Sequence, residues 1–186
     1  MNTNIDLATI TVGDIANVVS AIFVIIAVII AGLSLRNHQR VAHVDMVVKL
    51  RDRFRQLAPQ RKASANFLLT ELTSSGKDSI PVYLNEVMHL FEELGLFIRR
   101  RAVDELALWT LMSDYIRGYY CAAVKLGIIE KYRQDDPNYY NEFEFLYKRM
   151  LRIESRKSGA NVKSLEFDVD EVKAFLNYER LQPTKV

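Results

Sequence analysis

The sequence predicts an all-α protein: one N-terminal transmembrane helix followed by a cytoplasmic helical bundle. Three observations predict it. Residues 15–35 form a run of 21 residues without a charge. Only seven Gly and four Pro occur in 186 residues, and the β-branched residues concentrate in the first 50 positions. The remainder is rich in Leu, Glu, Lys, Arg and aromatics, a composition that favours helix, and its apolar residues recur at spacings of three and four.

At about 1.5 Å per residue the uncharged run extends roughly 31 Å, the thickness of a hydrocarbon core. Thirteen of its 21 residues are Ile, Val, Leu or Phe, so insertion is favoured by several kcal/mol. A cleaved signal peptide fits poorly, because no Lys or Arg occurs among the first 35 residues and the run exceeds an ordinary signal core. Within 20 residues after the run come Arg36, Arg40, Lys49, Arg51, Arg53 and Arg55, and no cation precedes it. The positive-inside rule then places the N-terminus outside and the larger domain in the cytoplasm, with these cations as topology determinants and as contacts for anionic lipid. The expected organisation is a short extracytoplasmic N-terminus (1–14), the span (15–35), a basic juxtamembrane helix (36–58), a helical bundle (59–154), and a linker with a short C-terminal helix (155–186).

Residues of the span sort by size around a helix. Asn17, Ser20, Ala21, Val24, Ala27, Val28, Ala31 and Ser34 share one side, and the large aliphatic residues share the other. Small residues permit close backbone approach and Asn or Ser can hydrogen-bond across it, so Asn17, Ser20, Ala21, Ala27, Ala31 and Ser34 are the candidate interface with a second span.

The juxtamembrane helix is expected to stop before Pro59, and the next to cover Arg61 to Leu72, ending at a loop at Thr73-Ser74-Ser75-Gly76. Ser79 is the expected cap of a helix with Pro81 in its first turn. That helix buries Ile80, Tyr83, Leu84, Val87, Met88, Phe91, Leu94 and Ile98, and turns Asn85, His89, Glu92 and Arg99 to water. Asp104 is the expected cap of a central helix from Glu105 to about Arg133, with a wet strip through Thr110, Asp114, Arg117, Cys121 and Lys125. Asp136-Pro137 reads as the start of the next helix, whose buried stripe is Tyr139, Phe143, Leu146, Tyr147, Met150 and Ile153. A polar linker then leads to a short helix from Asp168 or Asp170 that buries Val172, Phe175 and Leu176.

The order of these features, with Phe91-Glu92-Glu93-Leu94-Gly95-Leu96-Phe97, the stretch Asp104 to Trp109 and the aromatic helix after Pro137, resembles an uncharacterised bacterial family known only as a domain of unknown function. The resemblance covers about residues 15–153. It implies a helical, membrane-attached bacterial protein and supplies no catalytic residues.

Candidate chemistry is sparse. Glu86-x-x-His89 has the spacing used by di-metal bundles, but the chain holds no second such motif, and His89 lies opposite the apolar stripe, so no metal ligand is assigned. Glu92, Glu93 and Asp114 are candidate paired carboxylates, although adjacent helical residues diverge by about 100°. Cys121, the single cysteine, has no neighbouring His to activate it. No phosphate-binding Gly loop and no G-x-S-x-G occur, so neither catalytic residues nor a cofactor are expected. Arg99-Arg100-Arg101 and the group Arg149, Arg152, Arg156 and Lys157 suit helix C-termini. Lys plus Arg number 25 against 23 for Asp plus Glu, which argues against nucleic acid as a partner. The expected partners are membrane lipid and either another protein or a second copy of the span. The function expected is a membrane-anchored interaction, scaffold or regulatory protein; the rivals are an enzyme with a scattered site and a membrane-active effector that oligomerises through its span.

Overall fold

The computed structural model describes the backbone of residues 12–73 and 79–182, and side chains within those ranges except at 12–19 and 35–44. All regular structure among the described residues is helical: α1 (Val12–Gln56), α2 (Ala58–Thr73), α3 (Val82–Arg99), α4 (Glu105–Lys125), α5 (Ile128–Asp135), α6 (Asn141–Ser158), a 3₁₀ turn (Val162–Leu165) and α7 (Val169–Leu181). The all-α class is as the composition predicts. The chain divides into two units, Met1–Ala42 and His43–Val186.

In the first unit, every described side chain from Ser20 to Ser34 is exposed. Among the described residues no helix is long and apolar enough to cross a membrane. The apolar stretch described to the side chain is 20–34, about 22 Å of helix, whereas a crossing takes about 30 Å. Residues 15–19 and 35 of the expected span lie outside it.

The second unit is a bundle around one contiguous apolar core. Its first element is the end of α1, where Leu50 and Phe54 are buried. Pro59 has no N–H to give the Arg55 carbonyl, so the chain breaks for one residue at Leu57 and resumes as α2 with Pro59 in the first turn, where no donor is needed. Helix α2 therefore begins three residues earlier than Arg61. Of the expected loop, Thr73 is the last residue of α2, and residues 74–76 lie outside the described ones.

Helix α3 buries Leu84, Val87, Met88, Leu90, Phe91, Leu94 and Ile98, close to the predicted stripe. Its N-cap is Pro81, with no side-chain cap, and not Ser79: Pro81 disfavours helical backbone at Ile80, so the helix starts two residues later than expected. Asp104 caps α4 as predicted, accepting from Ala107 N at 2.7 Å.

Further expectations need correction. The helix from Asp104 does not run to Arg133; it ends at Lys125 because Gly127 adopts a left-handed conformation (φ +67°), and α5 begins afresh at Ile128. The wet strip on α4 is broken, since Cys121 is buried and Arg117 is mostly covered, its guanidinium lying 4.4 Å above the Phe167 ring. Asp136-Pro137 makes a turn instead of starting a helix. The Asp136 carboxylate accepts from Asn138 N at 2.9 Å, and α6 starts only at Asn141, after Tyr140 in a left-handed conformation.

Tyr140 has no side chain suited to cap α6, and the cap comes from another helix. The Glu92 carboxylate on α3 accepts from Glu142 N (3.2 Å) and Phe143 N (2.6 Å). Burial raises its pKa, while these two N–H groups work the other way. Helix α6 then buries Phe143, Leu146, Tyr147, Met150 and Leu151, with Phe143 stacked on Phe91 at 5.0 Å. It ends at Gly159, so the expected linker from 155 is helical through Ser158 and contains the 3₁₀ turn. Asp168 and Glu171 form a capping box on α7, the first of the two predicted starts.

Candidate functional site: an arginine-lined cleft

Where the last turns of α1, the start of α2 and the middle of α4 meet, the second unit has a cleft of about 630 Å³. One wall is apolar, built from Leu50, Phe54, Leu108, Leu111 and Met112, and three arginines, Arg51, Arg55 and Arg61, also line it. The first two are exposed at the rim; the third is 8% exposed.

Arg61 is held from several sides. Its guanidinium carbon lies 3.8 Å from the Phe54 ring centroid and 5.3 Å from that of Tyr115, a cation stacked on an electron-rich face. Nη1 is 3.4 Å from Oε2 of Glu179, which is 2% exposed. The Tyr119 hydroxyl is placed to donate to the Arg61 carbonyl (3.0 Å) or to Glu179 Oε2 (3.1 Å), and its single proton serves one of them at a time. Several buried polar atoms have no hydrogen-bond partner: Arg61 Nε and Nη1, Glu179 Oε1 and Ser64 Oγ.

The electrostatics follow from burial. Loss of solvent raises the Glu179 carboxyl above its ordinary value despite the Arg61 cation and the Tyr119 hydroxyl. Burial, reinforced by the negative charge of Glu179, drives the Tyr119 phenol well up and Tyr115 up as well. The pair nearly cancels in net charge, which leaves Arg51 and Arg55 to set the sign of the mouth. Arg55 has only a loose, exposed partner in Asp52 at 4.0 Å, so the cleft presents positive charge beside apolar surface.

The sequence-selected residues fall elsewhere, with two exceptions. Arg51 and Arg55 line the cleft, whereas Arg53 points to α3 and pairs with Glu93, and Lys49 pairs with Asp45 at 2.7 Å. Ser20, Ala21, Ala27, Ala31 and Ser34 are exposed in the first unit; the side chains of Asn17, Arg36 and Arg40 are outside the described residues. The carboxylates do not converge: Glu92 caps α6, Glu93 pairs with Arg53, and the Asp114 side chain is 76% exposed. His89 is exposed on α3, its ring 5.7 Å from that of Tyr140, and among the described residues no three His, Cys, Asp or Glu side chains gather as a metal site. Buried Cys121 lies 3.4 Å from the Tyr147 hydroxyl. The arginines of the other clusters are engaged as well, Arg99 with Glu142 at 2.7 Å and Arg149 with Glu105 at 2.6 Å, while Lys157 sits 3.9 Å over the Trp109 ring.

Arg61 and Glu179 were not anticipated, yet both carry a signal. Arg61 continues the stripe of Ala65, Leu68 and Leu72 backwards along α2, and Glu179 continues that of Val172 and Leu176 forwards along α7. A charge on an apolar stripe needs a buried partner of opposite sign. Comparison with known proteins adds no relative: no family model matches the chain, and neither a curated protein nor a solved structure is significantly similar.

Proposed function

We propose that this chain is a single-pass, membrane-anchored helical protein of the bacterial inner membrane, and that it acts by binding a partner on the cytoplasmic side. The observation that carries the proposal is the state of the first unit. Ile22, Phe23, Val24, Ile25, Ile26, Val28, Ile29, Ile30 and Leu33 are each 46–68% exposed, on every side of one helix. Leaving nine such side chains half in water costs on the order of 10 kcal/mol, as much as the whole net stability of an ordinary domain. An amphipathic surface helix keeps a polar face; this one has none, which fits a hydrocarbon surrounding.

The flanking charges supply the orientation, since all cations near the run follow it. The resemblance to an uncharacterised bacterial family points the same way. A reporter pair fused after Val186 tests it: a fluorescent protein that matures only in the cytoplasm is expected to glow, and a phosphatase active only outside is expected to stay silent. An active phosphatase would overturn the orientation, and release of the chain by carbonate washing would overturn the anchor.

Two copies pairing through the small-residue face is the proposed mode of self-association. Ala27→Ile with Ala31→Ile is expected to weaken dimerisation in a membrane two-hybrid assay severalfold, at ~0.6–2 kcal/mol for each interhelical interaction that the bulkier side chains disrupt. Ile26→Ala with Ile30→Ala leaves the small face intact and is expected to dimerise as the parent does. Equal behaviour of the two double variants would remove this interface.

A further inference from the structure

We infer that the cleft between α1, α2 and α4 is a binding site for an anionic amphiphile, a ligand with an acidic head and an acyl chain. Its volume, about 630 Å³, lies within the range of small-molecule sites. The two halves of its lining match the two halves of such a ligand. Leu50, Phe54, Leu108, Leu111 and Met112 offer an apolar wall for a chain, and the guanidinium groups offer donors for a carboxylate or phosphate.

The two exposed arginines separate this cleft from a chance hollow. Arg51 and Arg55 stand one helical turn apart on α1 and line the same space as the apolar wall, whereas the buried Arg61 is engaged with Glu179, 3.4 Å away, and its Nε and Nη1 are sealed from the cleft. Arg51, which makes no ion pair among the described residues, and Arg55, only loosely paired, supply the surplus charge that draws the head in. An acidic protein segment would use the same charges but would leave the apolar wall unused, so the amphiphile accounts for more of the lining. The inference concerns the second unit alone and does not rest on the anchoring of the first.

The full chain in phosphatidylcholine nanodiscs, photolabelled with diazirine-bearing palmitic acid, diazirine-bearing phosphatidate or a diazirine-bearing fatty alcohol, gives the test. Mass spectrometry of the labelled peptides is expected to place the two acidic probes on residues 47–58 and 108–115, with unlabelled palmitate blocking the reaction. The stronger of the two identifies the source as free fatty acid or membrane lipid. Arg51→Glu with Arg55→Glu is expected to cut that labelling about fivefold or more. Leu111→Trp, which fills the cleft from an exposed position, is expected to do the same, with circular dichroism confirming that both variants fold. Labelling confined to residues 20–34 would overturn the site while leaving the membrane anchor intact. Equal labelling of the cleft by the alcohol, unchanged labelling of the arginine variant, or blocking by ATP as well as by palmitate would each overturn the amphiphile.

Discussion

Glu179→Ala is expected to destabilise the second unit by about 3–5 kcal/mol, lowering the midpoint of thermal unfolding by about 10 °C, because it strands the buried Arg61 cation. Both partners are more than nine-tenths buried, so little water is available to re-solvate the survivor. The upward shift of the Glu179 carboxyl shows which effect dominates: burial outweighs the attraction of Arg61. An ion pair whose desolvation exceeds its Coulomb gain is a poor source of net stability, although breaking it is expensive. Replacing both partners at once, Arg61→Met with Glu179→Leu, is therefore expected to return to within about 1 kcal/mol of the parent. Circular dichroism melts of the three proteins decide the matter. A double variant as unstable as the single would show that the pair itself, and not the stranded charge, holds α2 to α7.

The same shift fixes a sign for acid. A carboxyl whose folded-state pKa is raised contributes stability that is whole below its ordinary value of 4.5 and is lost as pH rises through the folded-state value. Acid therefore does not release α7 through Glu179. Glu144 runs the other way: hydrogen bonds from Lys148 and Arg133 lower its pKa, so its contribution is present above 4.5 and lost as pH falls.

Helix starts and stripes were legible where the signal is local. Asp168 with Glu171 three residues on, and Asp104 before a periodic run, declare caps by chemistry that needs no tertiary partner. Asp136-Pro137 misled because the same two residue types serve a turn: the Asp136 side chain met Asn138 N, two residues on, before any helix began. The apolar pattern continued across Gly127, which hid the break between α4 and α5. Helix phase alone turns Glu92 to water, and its true role depends on α6 arriving 50 residues later to present bare N–H groups. The cleft is illegible for the same reason. Its wall comes from α1, α2 and α4, and no spacing within any one of them announces that Arg51, Arg55 and Arg61 face the same space.

The second large effect is expected at Gly95, and its sign opposes helix propensity. In the interior of an exposed helix, Gly→Ala gains about 1 kcal/mol. In α3 an added Cβ at position 95 would stand 2.1 Å from the Glu142 carbonyl oxygen and 2.5 Å from its carbon. Both atoms are backbone of α6, so no rotamer relieves the clash and the helices must part by roughly 1 Å, which costs about 1–3 kcal/mol. Parting also strains what crosses this contact: the Glu92 carboxylate that caps α6, worth about 1 kcal/mol, the Arg99–Glu142 pair, and the stacking of Phe91 on Phe143. Gly95→Ala is therefore expected to lose about 3 kcal/mol in chemical denaturation. Gly118→Ala meets the Phe175 ring at 2.3 Å, and that ring packs edge-on against Tyr115 and Tyr119, so it too is expected to destabilise, though by less because a side chain and not backbone must move. Gly32→Ala has nothing within 4 Å of its Cβ and should leave the second unit's transition unchanged, which makes it the control. A Gly95→Ala protein as stable as its parent would mean that α3 and α6 do not pack backbone to backbone, and with that the account of Glu92 as the cap of α6 would fall.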